Sequence, residues 1–156
     1  MMRTTVSNVQ SENARCALER VCSGAGLDPA SRYYSPSFVD HVNDREFHGL
    51  VGVEKSVAVY RRLLDDLAIR VEDQVVEADR VASRFVVSGT SLGRRVEFNG
   101  ITISRFEGGL IVEDWSVTDT LGMLRQLGLV RSLLVGIKGL AALRVPGPAR
   151  DAASGR

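Results

Sequence analysis

The spacing of apolar residues changes period once along the chain, near Ala68. Before that point apolar positions recur at helical intervals. Ala14, Ala17, Leu18 and Val21 follow Ser11 and Asn13, which predicts an amphipathic helix ending at Gly24 or Gly26. Residues 1–10 are polar and are expected to be flexible. Asp28-Pro29 sets a favoured cap before a proline, so a short helix carrying Tyr33 and Tyr34 is expected, closed by Pro36. Phe38 and Val39 lead into Asp40-His41 and a polar loop, VNDREFHG. A third helix is expected from about Gly52, with Val53, Val57, Tyr60, Leu63 and Leu64 on one side. Lys55, Arg61, Arg62 and Asp65 mark its outward face.

Beyond Ala68 the pattern shortens to period two. Ile69, Val71, Asp73 and Val75 alternate with polar residues, as a half-buried strand requires. Turns at Ala78-Asp79-Arg80, Ser91-Leu92-Gly93-Arg94 and Gly108-Gly109 separate further strands over Arg80–Thr90, Arg95–Phe106 and Leu110–Asp119. Short turns between successive strands make an antiparallel meander. Helices come first and strands after, so the class is α+β. Helices laid across one face of a curved sheet leave a concavity at one end, where a ligand would sit.

The last hairpin carries the most suggestive chemistry. Successive residues of a strand point to opposite faces, so Trp115, Val117 and Asp119 share a face with Glu113 in line. Asp119 has two readings. It can cap the helix expected over Thr120–Leu127, a role aspartate favours. Alternatively, an apolar wall including Trp115 desolvates it, which raises a carboxyl's pKa and makes it a stronger base.

Composition narrows the partners. The chain has 156 residues, enough for one domain with a real core. Its net charge is +1, which gives no footprint for nucleic acid. No apolar run reaches the ~18 residues of a membrane span, and the N-terminal stretch lacks a signal peptide's apolar core. A cytoplasmic location is the expectation. Cys16 and Cys22 point well apart on one helix, so no disulfide is expected between them. With only His41 and His48 as histidines, no metal-ligand spacing exists.

After Leu127 the pattern returns to helical period. Over 129–145, Leu129, Val130, Leu133, Leu134, Ile137, Leu140 and Ala141 gather on one side, with Arg131 and Lys138 opposite. Gly136 and Gly139 weaken this helix in isolation, so it must dock on something. Packing within the protein or its dimer ranks ahead of an anionic membrane surface. Residues 146–156 have the composition of a disordered tail.

These features together resemble the SnoaL-like polyketide cyclases, within the nuclear-transport-factor-2-like superfamily. The matching stretches are PSFVDH (36–41), GLVGVEKSVAVYRRLLDDL (49–67), EADRVASRFVVSGT (77–90), VEFNGITISRFEGGLIVEDWSVTD (96–119) and LGMLRQLG (121–128). The resemblance covers residues 11–128. It implies a cone-shaped α+β fold, a curved antiparallel sheet packed on the N-terminal helices around a deep apolar pocket. It also implies a homodimer formed through the sheet and a small, apolar, oxygenated ligand. In such cyclases an aspartate at the Asp119 position acts as general acid/base for an aldol ring closure, with no metal or organic cofactor. The superfamily also hosts epoxide-opening enzymes, isomerases and non-catalytic binding modules, so fold alone does not choose the reaction. Two departures stand out. The loop after Gly89-Thr90 is cut to SLGRR (91–95), with Ser91 where relatives often have histidine, and a helix is added after Gly128.

Around Asp119, the resemblance sets His41 as a cavity-facing donor or proton carrier against the alternative of a satisfied loop histidine. Arg105 is a candidate oxyanion holder, against a cross-strand ion pair. Trp115 is a pocket wall. Arg84, Tyr33, Tyr34, Asn99 and Gln126 are further pocket candidates, each with surface or capping duty as the alternative.

Overall fold

The computed structural model describes residues 2–23 and 28–143. Helix α1 spans Met2–Cys16 and runs on into a π-helical turn, Ala17–Cys22. A 3₁₀ turn at Ala30–Arg32 follows. Then come β1 (Tyr34–Val42), β2 (Arg45–His48), α2 (Gly49–Leu63), β3 (Asp65–Glu77), β4 (Arg80–Ser91), β5 (Arg94–Glu107), β6 (Leu110–Thr118), α3 (Thr120–Leu127) and α4 (Leu129–Leu143). The class is α+β, as expected. The strands form one curved sheet in the order β2-β1-β6-β5-β4-β3.

The meander β3–β6 matches the sequence reading, but the sheet is mixed rather than purely antiparallel, because β1 pairs with β6 in parallel. The stretch expected as a short helix and polar loop is the hairpin β1–β2. Tyr34 opens a strand and His41 lies within it. Pro36 and the polar run hide this strand, and only its pairing with β6 reveals it. Helix α2 starts at Gly49, ahead of the expected Gly52. Residues 2–10, expected to be flexible, belong to α1. The predicted helix end at Gly24 or Gly26 and the tail from Pro146 lie outside the described residues.

Strand β3 ends the sheet, and α1 with its π turn covers that open edge. The Glu19 carboxylate accepts the Val71 amide at 2.8 Å, and the Ser23 hydroxyl accepts the Ile69 amide at 2.9 Å. Arg15 donates to the Val71 carbonyl, and Gln74 donates to the Ser11 carbonyl. The Glu19, Ser23 and Arg15 side chains thereby satisfy backbone groups that an open edge would offer to another strand, and the Gln74 bond ties β3 to α1.

Two apolar clusters fill the concave side. One joins Ala14, Ala17 and Val21 to Tyr34, Phe38, Val53, Val57, Val81, Phe106 and Ile111. The other joins Leu18 and Leu64 to Phe85, Val87, Val96, Phe98, Met123 and Leu127. Strand β5 shows how the sheet sorts its residues. Val96, Phe98, Gly100, Thr102, Ser104 and Phe106 point inward and are buried, while the residues between them face out. Gly100 has to be glycine for packing reasons. A Cβ there would stand 2.4 Å from the Phe85 ring, which lies over it.

Candidate active site

Between the two clusters lies an apolar chamber of about 60 Å³. Leu18 and Cys22 of the π turn form one wall, Tyr34, Phe38, Asp40 and Val42 of β1 another, and Val53, Ser56, Val57 and Tyr60 of α2 a third. Phe85 and Val87 of β4 and Asp114, Ser116 and Thr118 of β6 close it. A second cavity of about 140 Å³ shares Val42, Ser56 and Tyr60 with it and reaches the β1–β2 turn at Asn43–Arg45. The π turn sets Leu18 and Cys22 on the chamber side; such turns recur where a helix borders a functional site.

Two carboxyls face this chamber side by side. Asp40 and Asp114 are register partners on the parallel strands β1 and β6, so their side chains leave the sheet on the same face. Both are buried, Asp40 at 7% and Asp114 at 5% exposure. Asp114 Oδ1 has no hydrogen-bond partner among the described residues. A buried carboxyl oxygen left unpaired is costly unless the group stays neutral or awaits a ligand.

Burial pushes the Asp114 carboxyl up to about 8, with the nearby Asp40 adding to the rise and Ser104 opposing it. Burial raises Asp40 to about 6, while Ser56 and His41 pull the other way. Near neutral pH Asp40 is therefore ionised and Asp114 holds its proton. The neighbouring hydroxyls are neutral donors. Tyr34 Oη lies 3.6 Å from Cys22 Sγ, and Tyr60 Oη lies 3.1 Å from Thr118 Oγ1. Burial pushes the Cys22 thiol up to about 12, so it is no thiolate nucleophile. Among the described residues, no group of three or more His, Cys, Asp or Glu is placed to hold a metal ion.

Most residues singled out from sequence lie elsewhere. Asp119 is exposed and caps α3, its Oδ1 accepting the Gly122 amide at 2.7 Å. A Cβ at Gly122 would fall 2.2 Å from Asp119 Oδ2, so that glycine makes room for the cap. Asp119 lines neither cavity. Trp115 and Glu113 do share a face, as the alternation predicts, but it is the outer face of the sheet. There the Trp115 ring stacks on His41, with centroids 5.6 Å apart, and the Arg80 guanidinium sits 5.4 Å above it.

His41 is likewise on the outer face. Its Nε2 is 3.0 Å from Glu113 Oε1 and its Nδ1 is 3.3 Å from Glu46 Oε2. Arg105 donates to Glu113 Oε2 through Nε and Nη2 at 3.2 and 3.0 Å and also meets Glu107, a cross-strand ion cluster. Arg84 is exposed beside Asp73 at 3.8 Å. Asn99 is exposed, its carbonyl accepting the Asp119 amide. Gln126 clips α3 to β5 through both Glu97 backbone groups. The Tyr33 hydroxyl donates to Asp28 at 2.6 Å. Of the candidates, only Tyr34 lines the chamber.

The physical reason is an inversion of the usual pattern on β6. Its apolar parity, Trp115 and Val117, faces outward, and its polar parity, Asp114, Ser116 and Thr118, faces the chamber. The signal available in the sequence was that polar alternation itself, together with Asp40 beside His41.

Comparison with known proteins agrees with this architecture. The family model for SnoaL-like polyketide cyclase matches residues 12–127, and the chain belongs to that family. Among solved structures, wild-type IdmH, described as a putative polyketide cyclase from Streptomyces antibioticus, is 25% identical with a TM-score of 0.67. The match covers 77% of this chain and 99% of IdmH. A putative polyketide cyclase from Bacillus cereus is 25% identical over 78% of this chain and 81% of its own, with a TM-score of 0.66. AclR, a putative hydroxylase from Streptomyces galilaeus, is 26% identical over 80% of this chain and 98% of its own, with a TM-score of 0.60. No curated protein matches the chain. The family and the two polyketide-cyclase neighbours support a cyclase-type enzyme. No helix among the described residues is long and apolar enough to cross a membrane.

Proposed function

We propose that this protein closes a ring in a small, oxygenated, polyketide-like substrate by aldol chemistry, with Asp40 as base and Asp114 as acid. The observation that carries the reading is the unpaired, buried Oδ1 of Asp114 next to Asp40 in an apolar chamber. Two adjacent carboxyls whose surroundings separate their pKa values divide the acid and base roles between them.

The Asp40 carboxylate removes a proton from a carbon flanked by carbonyl groups. The resulting enolate carbon attacks a second carbonyl of the same chain, forming the new C–C bond. The oxygen of that carbonyl takes the Asp114 proton and becomes a hydroxyl. The proton now on Asp40 passes back across the pair, restoring both groups, so every proton in the step sits on the two carboxyls or the substrate. Tyr34 and Tyr60 offer hydroxyl donors to oxygens along the folded chain. Holding the two ends at reacting distance supplies most of the rate, and the acid/base pair adds about 10²–10⁴-fold.

The test is turnover of a linear poly-β-carbonyl compound followed by mass spectrometry and NMR. The expected rate rises through about pH 6 as Asp40 ionises and falls through about pH 8 as Asp114 loses its proton. Asp40→Asn is expected to slow closure by about 10²–10⁴-fold with substrate binding retained. Undiminished turnover by Asp40→Asn would reject the assignment. The outer face fits a homodimer formed through the sheet, because Ile101, Ile103 and Val117 expose an apolar strip beside Trp115.

A further inference from the structure

Helix α4 does not bury the face that its sequence offers for burial. It rests on α2 and α3 through Val135, which is 4% exposed, and through Ser132, whose hydroxyl donates to the Leu124 carbonyl at 2.7 Å. Leu129, Val130, Leu133, Leu134 and Ile137 all face away, with exposures from 47% to 89%. They occupy one continuous arc of the helix, because positions three and four apart stack on one side. An apolar ridge of this kind on a surface is a docking site.

Charge selects the occupant. From Thr120 to Arg150 the chain holds Arg125, Arg131, Lys138, Arg144 and Arg150 and no acidic residue. Since the whole chain is nearly neutral, the rest of it carries an excess of acid. Arg125 and Arg131 are exposed. Two copies meeting through α4 would bring two purely cationic segments together, which like-charge repulsion opposes. An anionic lipid surface takes the apolar ridge into its acyl boundary and the cations among its headgroups. With 15 residues α4 is too short to span a bilayer and long enough to lie in its plane.

We propose that α4 is an interfacial helix that docks the protein on an anionic membrane surface, its axis in the plane of the headgroups. This binding does not depend on the chemistry proposed for the chamber.

Sedimentation of the full chain with lipid vesicles tests it. Vesicles of phosphatidylcholine with about 30 mol% phosphatidylserine are expected to bind at least about tenfold more protein than phosphatidylcholine alone. Salt at about 0.5 M is expected to release most of it by screening. Leu133→Glu and Ile137→Glu are expected to reduce binding to the phosphatidylcholine level. Both positions are exposed, so the thermal midpoint should not move, which separates lost docking from lost folding. Leu133→Trp gives a second readout, a blue shift of its emission on the anionic vesicles alone. The proposal fails if anionic and neutral vesicles bind equally, or if neither glutamate variant weakens binding. It also fails if Leu133→Glu halves the protein's mass in lipid-free sedimentation, which would identify a second copy as the occupant.

Discussion

The two faces of this sheet carry similar residue types to opposite ends. On the concave face, Asp40 and Asp114 line an apolar chamber, and Asp114 Oδ1 has no hydrogen-bond partner among the described residues. On the convex face, Glu113 has His41 and Arg105 as partners, and hydrogen bonds from both hold its carboxyl below the usual range. Consecutive residues of one strand, Glu113 and Asp114, thus have their pKa values moved in opposite directions. A satisfied carboxylate builds structure, and a buried carboxyl with an unpaired oxygen marks a candidate site. The comparison also orders Asp114 against Asp119, since the Asp119 carboxylate accepts the Gly122 amide of α3.

The largest expected contrast is catalytic. Asp114→Asn should lower closure of a poly-β-carbonyl substrate by about 10²–10⁴-fold, while Asp119→Asn should leave it within about threefold. Equal losses in the two variants, measured as kcat, would erase the distinction between cap and site.

Stability should move the other way. Asp40 and Asp114 bind protons more tightly folded than unfolded, so their contribution is fully present below about pH 3.8 and lost as pH rises to about 8. Asp114→Asn removes its share of that slope. Urea melts at pH 5 and pH 8 should show the variant gaining on the parent by a few kcal/mol at the higher pH. A parallel shift at both pH values would contradict a buried neutral acid.

Smaller effects probe the packing beneath the chamber. Gly100→Ala forces the Phe85 ring to move, and overpacking of this kind costs about 1–3 kcal/mol. Calorimetry should record it as a lowered thermal midpoint, with ligand affinity falling because Phe85 lines the chamber. Least of all, Asp119→Ala should cost about 0.5–2 kcal/mol through the lost cap, seen in thermal melts.

Much of this architecture was legible in the chain. The period-two alternation from Ile69 to Val117 and the glycine-marked turns set the meander, and the motifs from Pro36 to Gly128 set the family. Parity on β6 was legible too, since Glu113, Trp115 and Val117 do share a face. Which face was inward was not. Hydrophobicity names the buried side of a strand when the core is dry and apolar, but β6 borders a chamber whose polar wall needs Asp114, Ser116 and Thr118. The chamber-facing acid of β6 fell on the parity that looked solvent-facing.

What the sequence determined by itself is therefore local: periods, turns, the capping aspartate at the head of α3 and the amphipathic character of α4. These depend on residues within a few positions of one another. The tertiary structure alone decided that Tyr34–Val42 is a strand, that it pairs in parallel with β6, and that Asp40 comes to lie beside Asp114. That pairing joins residues far apart in the chain, and only the closed sheet and the helices laid over it desolvate the two acids and raise their pKa values.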